Sequence, residues 1–132
     1  MADNRIVTAT IGLEPYETSL SNGVHLVYSD EPTNKGGKDI GPSPQDFLRM
    51  SLASCTAITL RMYVNRKGLS VEKIIVEIRT ESVGNKTIFH RNVFVKGTIT
   101  NEQREKLMKI ANACPVHKIL TNPIEVNTTI SN

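Results

Sequence analysis

The chain contains two thiols, Cys55 and Cys114, in 132 residues. Cys55 stands in "SLASCTAITLRMY" (residues 51–63), where only Arg61 is ionised at neutral pH. Cys114 stands in "ANACPVHKIL" (111–120), beside Pro115 and three residues before His117. A cysteine does chemistry as its thiolate, and an unperturbed thiol titrates near ~8.5, so a reactive one needs help from its surroundings. Leu48, Leu52, Cys55, Thr59 and Met62 share one stripe at helical spacing. Cys55 therefore reads as a small apolar core residue or as a presented thiol. Its neighbours Ala53, Ser54, Thr56 and Ala57 are small and leave room beside the sulfur. Four Cys/His ligands at close spacing are absent, which argues against a structural zinc.

The elements that must position these thiols follow from pattern. Residues 5–11, "RIVTATI", read as a strand. "YETSL" and "VHLVYS" read as a hairpin turning at Asn22-Gly23. Residues 30–43, with two prolines and three glycines, read as a loop. Ser43 as N-cap, Pro44 at the first position and Asp46 as capping-box acid open a helix that runs to about Lys67 and stops at Gly68. "VEKIIVEIRTE" places Ile74, Val76 and Ile78 on one strand face, with Val71 and Ile75 on the other. After the turn "SVGNK", "TIFHRNVFVKGTIT" turns Phe89, Val93, Val95 and Ile99 inward. Thr100 and Gln103 form a second capping box, opening a helix with Leu107, Ile110, Ala111 and Cys114 on one face. Pro115 interrupts the backbone there. "IEVNTTIS" reads as a last strand, with Ile124, Val126, Thr128 and Ile130 on one side. The order βββ-α-ββ-α-β is an α+β pattern in one domain, residues 1–132, with one sheet of about six strands.

The first helix has apolar residues almost all round: Phe47, Leu48, Met50, Leu52, Ala53, Ile58, Leu60, Met62 and Val64. Such a helix must be covered on all sides, so a second copy of the chain is expected to cover what its own sheet does not. Sixteen basic against thirteen acidic residues give +3, with no block of like charge, and six aromatics are too few for a base-stacking platform. Nucleic-acid binding is therefore not indicated. No membrane-length apolar run and no apolar leader appear, so a soluble, cytoplasmic protein without membrane partners is expected. In that compartment two cysteines are free or redox-active more often than a structural disulfide.

"GPSPQDFLRMSLASCTAITLRMY", "RKG" and "ITNEQREKLMKIANACPVHKIL" together resemble the OsmC/Ohr family of thiol-dependent hydroperoxide reductases. "DEPTNKGGKDIGPSP" resembles its OsmC-like branch. The resemblance implies an intertwined homodimer, with two antiparallel-rich sheets wrapped around paired central helices. It implies cysteine-based reduction of organic hydroperoxides in peroxide stress defence, with Cys55 peroxidatic and Cys114 resolving. No cofactor is implied; an external dithiol would regenerate the thiols. A disulfide between the two would need their Cα atoms within about 7 Å.

The family's activating arginine, on an N-terminal loop, and its glutamate, ten residues before the cysteine, are not matched. Gln45 stands at the glutamate position and cannot pair a charge. Asp46 beside it lies about 180° round an ideal helix from Cys55. Arg5 is the only arginine before the helix. Arg49 and Arg61 lie six residues either side of Cys55, about 120° away, and are candidate supports; each also reads as an ordinary solvated arginine. His117 suits a contact with Cys114 or a capping role. His25 and His90 carry no specific signal. The competing function is a non-catalytic dimer of this fold that binds a small apolar ligand or a protein partner.

Overall fold

The computed structural model describes residues 5–132. The opening "MADN", part of the segment read above for the lack of a leader, lies outside the described residues. The chain divides into two compact units, Met1–Leu48 and Arg49–Asn132.

The first unit holds an antiparallel sheet of β1 (Thr8–Ile11), β2 (Thr18–Ser21) and β3 (Leu26–Ser29), in the order β1-β2-β3. The first strand begins at Thr8, not at Arg5. The hairpin turn is centred one residue later than expected, on Gly23-Val24. Asn22 N–H donates to the His25 carbonyl, and the Asn22 side-chain oxygen accepts from Val24 and His25 N–H. The loop after β3 is wound around one buried carboxylate. Asp30 accepts from the N–H groups of Glu31 (2.7 Å), Lys38 (3.1 Å) and Ile40 (3.3 Å). Burial alone would raise its pKa, but these three donors and the Lys38 charge prevail and hold it below the usual carboxylate value. Gly37 is required here, because a Cβ would collide with the Glu31 carbonyl and the Asp30 carboxylate.

Helix α1 spans Pro44–Lys67. Its start is the expected reciprocal box: Ser43 N–H donates to Asp46 Oδ2 and Asp46 N–H to Ser43 Oγ. It ends in a Schellman motif. Leu69 N–H reaches the Val64 carbonyl and Gly68 N–H the Asn65 carbonyl, with Gly68 at φ +64°. The buried stripe is Leu52, Thr56, Leu60, Tyr63 and Val64. It is rotated from the stripe read in the sequence, so Cys55 and Thr59 lie at its half-buried margin. Met50, Ile58 and Met62 stay about half exposed or more.

Strands β4 (Ser70–Val83) and β5 (Lys86–Thr98) form a separate two-stranded antiparallel sheet. The chain thus carries two small sheets, where one of about six strands was expected. A register shift between Val71 and Lys73 reverses the side-chain alternation. Val71 therefore joins the core with Ile74 and does not face away as simple alternation predicted. The core of this unit is Leu60, Tyr63, Val64, Val71, Leu107 and Ala111, flanked by Val93, Val95 and Ile110.

Helix α2 (Asn101–Ala111) opens on the Thr100–Gln103 box, with both hydrogen bonds present. Helix α3 (Pro115–Leu120) follows at once, with Cys114 as its N-cap and Pro115 in its first turn. The expected last strand does not form: residues 124–131 have no strand pairing. Ile124, Val126 and Ile130 are exposed. Alternation makes a segment fit to be a strand, but pairing needs a neighbouring edge, and among the described residues no strand is hydrogen-bonded to it. The observed order is βββ-α-ββ-α-α, an α+β fold with two antiparallel sheets and three helices.

Candidate functional site

The second unit brings Cys55 and Cys114 together, and both are free thiols. Their side chains are close enough to act on one another: Cys114 helps to raise the Cys55 pKa. Cys55 comes from the middle of α1 and is half-buried; Cys114, at the α2–α3 junction, is fully buried. The first turn of α3 leaves backbone N–H groups without helical partners. His117 N–H donates to Cys114 Sγ at 3.5 Å. The Val116 N–H and the Thr59 hydroxyl, one turn along α1, favour the Cys55 anion.

These contacts pull in two directions. Burial pushes the Cys55 thiol above its ordinary value, as do the hydrogen bond and the charge of Cys114; the Val116 amide and Thr59 hydroxyl lower it. The net direction is upward.

Sequence reasoning missed Arg91. In the ladder Arg91 pairs with Ile78, and Val93 and Val95 pair with Val76 and Ile74. Cross-strand partners share a face, so Arg91 lies on the inward face of β5. Its Nη1 donates to Thr56 Oγ1 (3.0 Å), and its Nη2 to Asn112 Oδ1 (2.8 Å) and towards His117 Nδ1 (3.1 Å). Thr56 is fully buried, and its own hydroxyl proton goes to the Leu52 carbonyl (2.7 Å). Burial lowers the proton affinity of Arg91, while attraction to Cys114 and Cys55 raises it. Burial and the Arg91 charge hold His117 below its ordinary value. The signal in the sequence was a charged residue at an inward phase, between Phe89 and Val93.

The other sequence candidates have different duties. Asp46 closes the α1 capping box. Gln45 is exposed in the first turn of α1. Arg49 donates to Thr80 Oγ1 (3.1 Å). Arg61 ties α1 to β4 through the carbonyls of Val71 (3.0 Å) and Glu72 (3.3 Å), with Asn65 at 3.4 Å. His90 pairs with Glu81 at 2.7 Å on the exposed part of the sheet. Between β5 and α2 lies a cleft of about 470 Å³ that neither cysteine lines. Arg91, Asn112, Phe89, Val93, Arg104 and Met108 are among its lining residues. Among the described residues no helix is long and apolar enough to cross a membrane.

The fold has many solved counterparts. An OsmC-like protein from Mycoplasma pneumoniae superposes with a TM-score of 0.70 at 17% identity, over 91% of this chain and 89% of that one. An organic hydroperoxide resistance protein from Elizabethkingia anophelis gives 0.66 at 17%, over 95% and 94%. An organic hydroperoxide resistance protein OsmC from Legionella pneumophila gives 0.60 at 18%, over 91% and 92%. At these identities the likeness establishes the fold. No curated protein shows significant similarity in sequence. Residues 36–129 match the family described as OsmC-like protein, a span that holds α1, both strands of the second sheet and both cysteines. The chain belongs to the OsmC-like family.

Proposed function

We propose that the protein reduces organic hydroperoxides with the Cys55–Cys114 pair, at the expense of an external dithiol. The observation that carries this reading is the proximity of a half-buried thiol to a fully buried one, each acting on the other. Cys55, the more accessible, is the attacking sulfur. Its thiolate takes the terminal peroxide oxygen, the O–O bond breaks, and the alkoxide leaves and is protonated to the alcohol. Cys55 is then a sulfenic acid. The Cys114 sulfur attacks it, a disulfide forms and water leaves. A dithiol then reduces the disulfide by two thiol exchanges and is itself oxidised to a cyclic or linear disulfide. The position of half-buried Cys55 at the margin of the buried stripe of α1 favours alkyl over hydrogen peroxide.

Stopped-flow oxidation with cumene hydroperoxide and hydrogen peroxide, followed by mass mapping, tests this. The wild type should consume the alkyl peroxide faster and yield a disulfide within one chain. Cys55→Ser should do neither. Cys114→Ser should stop at a sulfenic acid that dimedone traps. A wild type whose Cys55 stays a thiol under these conditions overturns the reading. It would favour the alternative, a non-catalytic member binding an apolar ligand or a protein, which the upward shift of the Cys55 thiol supports.

The working unit in this proposal is a homodimer paired along the uncovered face of α1. Ile58 is 52% and Met62 65% exposed, although both are apolar and central to the helix. Leu52 is 3% exposed and belongs to the buried stripe of the chain itself. Leu52→Asp should therefore prevent folding, since an unpaired buried carboxylate costs several kcal/mol. Ile58→Asp should leave a folded monomer. Sedimentation showing an unchanged dimer for Ile58→Asp would refute pairing along this face.

A further inference from the structure

We infer that Arg91 is the cation that activates the thiol pair, and that Thr56, Asn112 and a neutral His117 are positioning residues that aim it. The guanidinium has five N–H donors and no lone pair. The 3.1 Å contact to His117 Nδ1 therefore makes Nδ1 the acceptor, puts the ring proton on Nε2 and leaves the imidazole uncharged. Thr56 and Asn112 are uncharged as well, so all three hydrogen-bond partners of Arg91 are neutral. No carboxylate is among its hydrogen-bond or ion-pair partners in the described residues. A half-buried cation solvated only by neutral acceptors keeps its field for an anion that forms later.

The three partners also triangulate the sulfurs. Thr56 follows Cys55 directly on α1. Asn112 caps α2 two residues before Cys114. His117 belongs to α3, and its backbone N–H is the one that holds Cys114 Sγ. Each thiol is thus flanked by a residue that fixes the guanidinium. Arg91 from β5 is the charged group that acts on both thiols; the His117 ring of α3 faces Arg91, and Thr59 and the Val116 amide, which act on Cys55, are neutral. In this chain the cation arrives on a sheet strand, and neither Gln45 nor the N-terminal loop is needed to hold it. Protonating His117 removes an acceptor and adds a like charge beside Arg91. Burial and Arg91 already depress the His117 pKa, so this loss belongs to the acid side of ordinary histidine titration.

The inference rests on the thiol reading above, but its test reads thiolate formation and needs no turnover. Reduced wild type, Arg91→Met, Arg91→Lys and His117→Asn are alkylated with iodoacetamide from pH 5 to 10, each thiol being followed by peptide mass. In Arg91→Met the first thiolate should appear at least one pH unit higher, about tenfold slower alkylation at neutral pH. Arg91→Lys should recover part of that shift, because it restores charge without the fork. His117→Asn, which keeps an acceptor at the Nδ1 position, should lose the extra acid-side decline that His117 protonation adds to ordinary thiolate titration, and keep the alkaline limb. A natively folded Arg91→Met whose profile coincides with wild type overturns the inference. Should circular dichroism show that variant unfolded, Thr56→Val decides: slower alkylation by about threefold supports the role, and an unmoved profile overturns it.

Discussion

Asp30 and Arg91 are both charged side chains drawn into the protein, and they are treated in opposite ways. Asp30 is fully buried, and three backbone N–H groups close on its two oxygens. Its charge is spent on shaping the 30–43 loop. Arg91 is held as firmly, by Thr56, Asn112 and His117, yet every partner is neutral. Its charge is positioned but not neutralised. The contrast offers a criterion for separating structural charges from functional ones: ask what remains of the field after the hydrogen bonds are counted.

Deleting each charge and reading stability separates the two side chains most strongly. Asp30→Ala orphans three N–H donors inside a loop, and an unsatisfied buried donor is costly. It should lower the thermal midpoint by on the order of 10 °C. Arg91→Met removes a donor and leaves only acceptors behind, and Thr56 keeps its bond to Leu52. Its midpoint should fall by no more than roughly 4 °C. Calorimetry giving equal losses would erase the distinction.

A second measurement sharpens it through pH. The folded-state pKa of Asp30 is depressed, so its contribution is present above the ordinary value and lost as pH falls through the lower, folded one. The stability gap between wild type and Asp30→Asn should be full at pH 6 and shrink below about pH 4. Urea titrations at pH 6, 4 and 3 would show this; a constant gap would mean that the carboxylate charge is irrelevant to the loop. The smallest expected effect is that of Asn112→Ala. It removes one of three acceptors from Arg91 and leaves the others, so thiol alkylation at neutral pH should slow by about twofold, with stability almost unchanged.

Much of this framework was readable in the sequence because local chemistry decides it. Ser43, Pro44, Asp46 and Gly68 define the ends of α1, and Thr100 with Gln103 starts α2, all through contacts within a few residues. What was not readable depends on partners far away along the chain. The register shift at Val71/Lys73 arises from pairing with β5, and it moved Val71 into the core. The segment around Ile124 to Ile130 alternates like a strand, but its state depends on an edge that the described residues do not supply. Arg91 lies 36 positions beyond Cys55 on another element. Its inward phase was legible beside Phe89, Val93 and Val95, but its approach to both thiols required the packing of four elements.

The junction at Cys114 has a further consequence, one of chain entropy. Oxidation to a Cys55–Cys114 disulfide would tie the middle of α1 to the start of α3 and close a loop of about 60 residues that contains β4, β5 and α2. A closure of that length restricts the unfolded chain enough to add about 4 kcal/mol to stability. The oxidised protein would open far less often, and protease resistance would rise by up to about a thousandfold where cleavage tracks the open population. Each encounter with peroxide would then lengthen the life of the chain until a dithiol loosens it again.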